Sequence, residues 1–87
     1  MQPKDYCAKW IPRKYGITPE QWGYKAKCLE ELEQVTGLAR NTLKNWKDLT
    51  TEAVYVQKLL FYADFYNELS EFFKKYSEKK VDINTTD

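Results

Sequence analysis

Residues 29–47 read LEELEQVTGLARNTLKNWK, and this stretch decides which fold we expect. Apolar side chains recur at the spacing of one helix face on both sides of a single glycine. They are Leu29, Leu32 and Val35 before Gly37, and Leu38, Leu43 and Trp46 after it. Glycine readily takes the left-handed conformation that ends a helix. The stretch therefore predicts two short amphipathic helices joined by a tight turn, which is a helix-turn-helix.

The second predicted helix, residues 39–47, has a polar outward face, and no carboxylate occurs between Gly37 and Lys47. In DNA recognition arginine suits guanine, asparagine suits adenine, and lysine neutralises phosphate. A helix in this position of the motif can enter a major groove. The residues expected to contact DNA here are Arg40, Asn41, Thr42, Lys44, Asn45 and Lys47.

The run from Leu32 to Trp46 resembles the helix-turn-helix of bacterial transcription regulators, most closely the mercury-resistance-regulator (MerR-like) type. The likeness lies in the turn 36–38, in the pair 42–43 and in the aromatic Trp46, and it covers about a fifth of the chain. The resemblance implies a homodimer that binds double-stranded DNA. It places on the groove side Arg40, Asn41, Lys44 and Asn45.

The chain departs from that family pattern in three places. No wing bearing glycine, proline and arginine follows Trp46. Ala39 stands where a capping serine is common, a loss of about 1 kcal/mol. Glu33 stands where such motifs usually carry a small residue between the helices.

Size and composition predict one small helical domain without a metal site. A chain of 87 residues buries a modest core, so further burial often comes from oligomerisation. Cys7 and Cys28, without any histidine, cannot form a four-ligand zinc site. We expect reduced thiols and a cytoplasmic protein, because no signal peptide and no membrane-spanning run is evident. The net charge is +3 over residues 1–48 and −2 over residues 49–87, a mild asymmetry.

The carboxylates of the first predicted helix give no support for catalysis. Glu30, Glu31 and Glu33 lie close together, but no histidine accompanies them, so we expect a solvated face. We therefore expect no catalytic residue, no cofactor and no enzymatic activity.

Residues 1–17 combine aromatic and basic side chains. Pro3 suits the first turn of a short helix, which we expect to end before Pro12. On this helix we expect Tyr6, Trp10 and Ile11 to pack on the core. Two roles remain open for Arg13 and Lys14: a basic arm along DNA phosphates, or solvated surface charges.

Residues 18–21 read TPEQ and predict the start of the next helix. Thr18 suits the cap, Pro19 the first position, and Gln21 completes a capping box. We expect a helix over about residues 19–35, with Trp22 at the beginning of its apolar face and a break allowed at Gly23.

Residues 51–79 predict one long helix, since Glu52 to Lys79 contains neither glycine nor proline. A heptad seam runs along it from Tyr55 to Tyr76, which predicts pairing with another chain. The expected dimer interface is Tyr55, Leu59, Tyr62, Tyr66, Leu69 and Phe73. Two further apolar strips flank this seam, one formed by Val56, Leu60 and Ala63, the other by Phe61, Phe65 and Phe72. Residues 81–87 are polar and predict a disordered tail.

The sequence thus predicts an all-α single domain over residues 1–87: a helix-turn-helix region at 18–47 followed by a long C-terminal dimerisation helix. The expected function is sequence-specific binding of double-stranded DNA by a homodimeric transcription regulator. The alternative is a helical protein-interaction module that uses the aromatic C-terminal helix and does not bind DNA. No membrane partner is expected.

Overall fold

The computed structural model describes the backbone of residues 1–86 and the side chains of residues 1–77. All regular secondary structure in this part of the chain is helical. The elements are α1 (Pro3–Tyr15), α2 (Tyr24–Thr36), α3 (Arg40–Lys44), a 3₁₀ turn (Lys47–Leu49) and α4 (Val54–Thr86). The prediction of an all-α chain with four helices is confirmed.

Helix α1 is longer than predicted, because it continues through Pro12 to Tyr15. A proline lacks the N–H that would bond to the carbonyl four residues earlier. That carbonyl belongs to Ala8, which is exposed and can bond to water instead. The helix ends where Gly16 takes a left-handed conformation (φ 70°) and donates its N–H to the Pro12 carbonyl at 2.9 Å.

Helix α2 begins at Tyr24, five residues later than predicted. The predicted capping-box hydrogen bond does form, from the Thr18 N–H to Gln21 Oε1 at 2.8 Å, but it closes a turn. Gly23 then has a φ of 91°, which a right-handed helix cannot contain, so the helix starts after it. Trp22 lies in the turn and is 99% exposed, so the expectation that it begins the apolar face was wrong.

The core lies where α1, α2, α3 and the first half of α4 meet. Its fully buried side chains include the predicted aromatic pair of α1, and the two thiols are also inside. The core residues are Tyr6, Cys7, Trp10, Ile11, Cys28, Leu29, Leu32, Leu43, Val56 and Leu60. Burial of each large apolar side chain stabilises the fold by about 1.5–3 kcal/mol.

The connection between α2 and α3 is tight, as predicted. Gly37 (φ 73°) donates its N–H to the Glu33 carbonyl at 2.9 Å and ends α2. Thr36 Oγ1 donates to the Leu32 carbonyl at 2.6 Å and accepts the Leu38 N–H at 3.2 Å.

Helix α3 is shorter than the predicted span 39–47. It has five residues, and Ala39 makes no side-chain cap bond at its start. Asn41, Thr42 and Asn45 are poor helix formers, so propensity does not extend it. Beyond it, Asp48 and Leu49 both have a φ of 54°, which turns the chain out of the helical path.

Helix α4 packs on the core with the strip formed by Val56, Leu60 and Ala63, not with the heptad seam. Gln2 and Thr51 hold its start in place, since the Thr51 N–H donates to Gln2 Oε1 at 2.9 Å. None of the described helices is long and apolar enough to cross a membrane. The tail predicted at residues 81–87 lies outside the residues whose side chains are described, and it stays a prediction.

Candidate nucleic-acid and protein interfaces

The outward side of α3 is a polar ridge, because Leu43 on its other side is fully buried in the core. At 3.6 residues per turn Asn41 and Asn45 lie opposite Leu43, one turn apart. Lys44 and Thr42 flank them, and all four side chains are exposed. Two amides and an ammonium group on one ridge are the groups that contact adenine edges and phosphates.

Arg40 also lies on α3, but its guanidinium is engaged within the chain. Its Nε donates a hydrogen bond to Glu33 Oε1 on α2. The two side chains are 44% and 36% exposed, so solvent screens the pair, and such pairs contribute about 0–1 kcal/mol. Because so weak a pair opens at little cost, Arg40 stays in the candidate set.

Lys47 is exposed and opens the 3₁₀ turn rather than continuing α3. It therefore leaves the ridge formed by Asn41 and Asn45. The next residue, Asp48, is also exposed and is the first carboxylate after Gly37. A role for Lys47 in holding phosphate, separate from any reading of bases, fits this position.

A cleft of about 340 Å³ separates α3 from the first turn of α2. Apolar residues, two lysines and one aspartate line it: Tyr24, Lys25, Leu29, Leu43, Lys44, Trp46, Asp48 and Leu49. This arrangement brings Lys25 to the same cleft as Lys44. Lys25 was not among the predicted DNA contacts, because no local sequence pattern connects it with α3. Only the packing of α2 on α3 brings it there.

Arg13 and Lys14 are not part of the α3 surface. Helices α1 and α3 make no contact in the described part of the chain. Arg13 donates to Glu68 Oε1 at 2.6 Å and pairs with Glu71, both on α4. Lys14 donates to Glu31 Oε2 at 2.7 Å. Both residues thus bind carboxylates of the chain itself, and a role for them along DNA phosphates stays a prediction.

Glu31 is the buried anion that joins α1 to α2, so the prediction of a solvated face was wrong for this residue. It is 1% exposed and accepts hydrogen bonds from three side chains of α1. The donors are Tyr6 Oη at 2.8 Å, Lys14 Nζ at 2.7 Å and Tyr15 Oη at 2.7 Å. Asn67 Nδ2 of α4 donates to Tyr6 Oη at 2.9 Å, which ties α4 into the same network.

These contacts lower the pKa of Glu31 and raise the pKa values of Tyr6 and Tyr15. Burial raises the pKa of the Glu31 carboxyl, but the hydrogen bonds from Lys14, Tyr15 and Tyr6 outweigh it, so this pKa lies below its usual value. The hydrogen bond to Glu31 is the main cause that raises the pKa of Tyr15 to about 12. Burial and the same carboxylate raise the pKa of Tyr6. The network is therefore an ionised carboxylate held by neutral phenols and an ammonium group.

A second polar contact joins α1 to α4. Asp64 Oδ1 accepts from Trp10 Nε1 at 2.8 Å and lies 2.8 Å from Lys9 Nζ. The Arg13 guanidinium lies over the Trp10 ring, 4.3 Å from its centroid. Together with the Arg13 pairs to Glu68 and Glu71, these contacts use every acidic residue of α4 between positions 54 and 77.

The remaining side of α4 exposes a large aromatic surface. All six residues predicted for the dimer interface are on it: Tyr55, Leu59, Tyr62, Tyr66, Leu69 and Phe73. Phe61, Phe65, Phe72 and Tyr76 are exposed as well. The aromatic members of this set are 57–69% exposed. Since contiguous apolar surface of this kind usually marks a partner site, the side of α4 away from the core is a candidate protein interface.

The two thiols lie in the core and not at a site. Cys7 and Cys28 are both buried, and no disulfide joins them. The hydrogen bond with Cys28 and burial both raise the pKa of the Cys7 thiol. Among the described residues, no three side chains of histidine, cysteine, aspartate or glutamate are placed to hold a metal ion.

Comparisons with protein-family models, with curated proteins and with solved structures found no match to this chain. The resemblance to MerR-like regulators therefore rests on the sequence of residues 32–46 alone.

Proposed function

We propose that this chain is a small double-stranded DNA-binding protein, a transcription regulator that reads the major groove with α3 and associates with copies of itself through α4. The observation that carries the proposal is the exposed ridge of Asn41 and Asn45, flanked by Lys44 and anchored from beneath by Leu43. Lys25 and Lys44 line one cleft together with a single carboxylate, Asp48, so the cleft beside this ridge has a net positive charge.

The shortness of α3 makes self-association part of the function. Five residues span about 8 Å at 1.5 Å per residue, which is the rise of only two to three base pairs. One copy thus reads too few bases to select a site in a genome. Two linked copies gain affinity without new contacts, and a two-fold pair reads a pseudo-palindrome.

The test compares three variants on two duplexes as salt is raised. Fluorescence anisotropy measures binding to random duplex DNA and to a duplex selected from a randomised pool. We expect affinity to fall steeply with salt, because lysines release counterions from phosphates. Asn41→Ala should reduce the preference for the selected duplex by about 1–3 kcal/mol. Lys47→Ala should weaken both complexes equally and make the salt dependence shallower.

Lys4→Ala is the matched control, since Lys4 is an exposed lysine on α1, which does not contact α3. It should leave both affinities unchanged. Absence of binding to any duplex at low salt would exclude DNA as the ligand. Equal effects of Asn41→Ala and Lys47→Ala would mean that α3 holds DNA without reading it.

The second candidate function is a protein-interaction module without DNA binding. Two observations favour it: Arg13, Lys14 and Arg40 are engaged by carboxylates of the chain, and the exposed face of α4 is larger than the α3 ridge. This candidate would be selected by two results together: no binding to duplex DNA at low salt, and loss of protein association in variants of the exposed α4 face.

A further inference from the structure

The cleft between α2 and α3 has the size of a small-molecule site. Its volume of about 340 Å³ lies within the range of about 300–1,000 Å³ that is common for ligand pockets. Two of its lining residues, Leu29 on α2 and Leu43 on α3, are at the same time buried members of the core. The cleft is therefore anchored in the packed part of the fold and does not need a ligand in order to form.

The backbone that follows α3 supplies another side of the cleft. The chain leaves the helical path at Trp46 (ψ 115°), and Asp48 and Leu49 both have a φ of 54°. Because the chain turns here instead of continuing α3, all three side chains line the cleft. Trp46, Leu49 and Tyr24 are only half-buried, so two aromatic rings and an aliphatic side chain remain available to a ligand.

Two ammonium groups at this cleft have no carboxylate partner in the described part of the chain. Lys25 comes from α2 and Lys44 from α3, and neither forms an ion pair there, although Asp48 lines the same cleft. By contrast, Lys14 and Arg40 are held by carboxylates of the chain itself. With two lysines and one aspartate, the cleft has a net positive charge that attracts an anion.

The lining also restricts the kind of anion. Leu29, Leu43 and Trp46 favour an apolar body, and aromatic rings gain more from packing on an indole than their buried area alone provides. A single carboxylate suits the two lysines better than a phosphate dianion does, because Asp48 repels a second negative charge. The residues that line the cleft include no arginine, whose planar fork is typical of phosphate sites.

We infer that this cleft binds a small aromatic carboxylic acid, with its ring against Leu29, Leu43 and Trp46 and its carboxylate at the ammonium groups of Lys25 and Lys44. Lysine side chains can lay their stems along an apolar wall and keep their charged ends at the rim. The carboxylate of the ligand can therefore stay close to water while the ring is buried. This inference goes beyond the proposed function and does not depend on it, since the site is complete without DNA.

The test uses naphthoate as the probe and follows the backbone amide signals of the isotope-labelled chain by NMR at low salt. We expect saturable shifts at Lys25, Lys44 and Trp46. Two matched probes separate the contributions of ring and charge. Naphthylmethylammonium has the same ring and the opposite charge, whereas acetate has the charge without the ring. Both should bind at least about fivefold more weakly than naphthoate.

Exposed side chains provide the variants, so the fold should be retained in each. Lys25→Gln and Lys44→Gln should each weaken naphthoate binding by about twofold to fivefold, the effect of losing one exposed ion pair. Asp48→Asn should strengthen binding by a similar factor, because it removes a repulsion, and asparagine tolerates a positive φ. Lys4→Gln is the matched control: it removes the same charge from α1, outside the residues that line the cleft, and should leave the affinity unchanged.

Four results would overturn the inference. Absence of any saturable shift at millimolar naphthoate would mean that the cleft takes no such ligand. Shifts confined to α4 would place the ring on its aromatic face instead. Equal affinities for naphthoate and naphthylmethylammonium, or unchanged binding in both lysine variants, would show that the two lysines do not recognise a carboxylate. Because no DNA is present in these titrations, their outcome is independent of whether the chain binds DNA.

Discussion

At the residue scale, Glu31 has its role because of what packs around it. Its neighbour Glu30 is exposed and makes only a 3.4 Å contact with Lys27. Glu31 is buried and accepts three hydrogen bonds from α1. A buried carboxylate without such donors would have to take up a proton, since desolvation penalises its charged form.

Replacing Glu31 tests how much this network contributes. Glu31→Gln removes the negative charge of the side chain. It also replaces one of the two carboxylate oxygens that accept the strong hydrogen bonds from Lys14, Tyr15 and Tyr6. Lys14 is partly exposed and can be solvated, so we expect the free energy of unfolding to fall by about 2–3 kcal/mol. Urea denaturation followed by circular dichroism measures it. Glu30→Gln is the matched control and should change stability by less than about 0.5 kcal/mol.

The same network predicts acid sensitivity. The pKa values of Glu31 and Asp64 are both lowered in the folded chain, where hydrogen bonds from lysine and other donors outweigh the effect of burial. A carboxyl with a lowered folded pKa stabilises above its unfolded pKa of about 4 and loses that contribution as pH falls through the folded value. We therefore expect the free energy of unfolding to be level above about pH 5 and to decrease below about pH 4.

Glu31→Gln should make that decrease shallower, because an amide does not titrate. Urea denaturation of both proteins between pH 3 and pH 7 makes the comparison. Identical slopes below pH 4 in the native chain and the variant would show that Glu31 is not the titrating group.

At the element scale, the ends of the helices follow backbone constraints more than propensity. Gly16, Gly23 and Gly37 all have positive φ, and each lies at a helix boundary. Pro12, in contrast, does not end α1. Contacts of the last turn of α1 with α2 and α4 keep it helical at the cost of one backbone hydrogen bond.

This cost can be measured with Pro12→Ala. Alanine restores the N–H that bonds to the Ala8 carbonyl and has the best helix propensity. A more flexible unfolded chain offsets part of the gain. We expect the free energy of unfolding to rise by about 1–2 kcal/mol in urea denaturation.

Pro19→Ala is the comparison for that experiment, because Pro19 lies in the turn before α2. It should lower stability by about 0.4–1 kcal/mol through the unfolded state alone. An unchanged or lower stability of Pro12→Ala would mean that water at the Ala8 carbonyl fully replaces the missing hydrogen bond.

At the scale of the whole molecule, the core of the domain does not include the aromatic face of α4. The core uses Val56 and Leu60 from α4, and the seam residues point away from it. The fold of the single chain is therefore separable from the proposed self-association, which the sequence pattern alone did not show.

Tyr66→Asp tests this separation. Tyr66 is at the middle of the seam and is 69% exposed in the single chain, so the substitution should leave the fold intact. It should place a charge in the middle of the proposed contact between copies, which desolvation disfavours. Light scattering should report the mass of one chain, with unchanged circular dichroism. A variant that unfolds would show that the face also supports the single chain.

The sequence by itself determined the helical class, the turn at Gly37, the core positions Tyr6 and Trp10, and the existence of a long aromatic helix. These follow from local rules: the spacing of apolar residues, the preference for glycine where φ is positive, and the absence of glycine and proline between Glu52 and Lys79. Periodicity also identified α4's three apolar strips, but it could not say which one faces the core.

Only the tertiary structure decided the burial of Glu31, the engagement of Arg13 and Lys14, the meeting of Lys25 with Lys44, and the choice of the Val56–Leu60 strip for the core. Each of these joins residues far apart in the chain, and no pattern along the sequence records such pairing. The early end of α3 was not evident from the sequence either, because the chain leaves the helical path at Trp46 (ψ 115°), where neither glycine nor proline marks the end. Local physics sets where helices form, and packing between helices sets which of their faces are left for a partner.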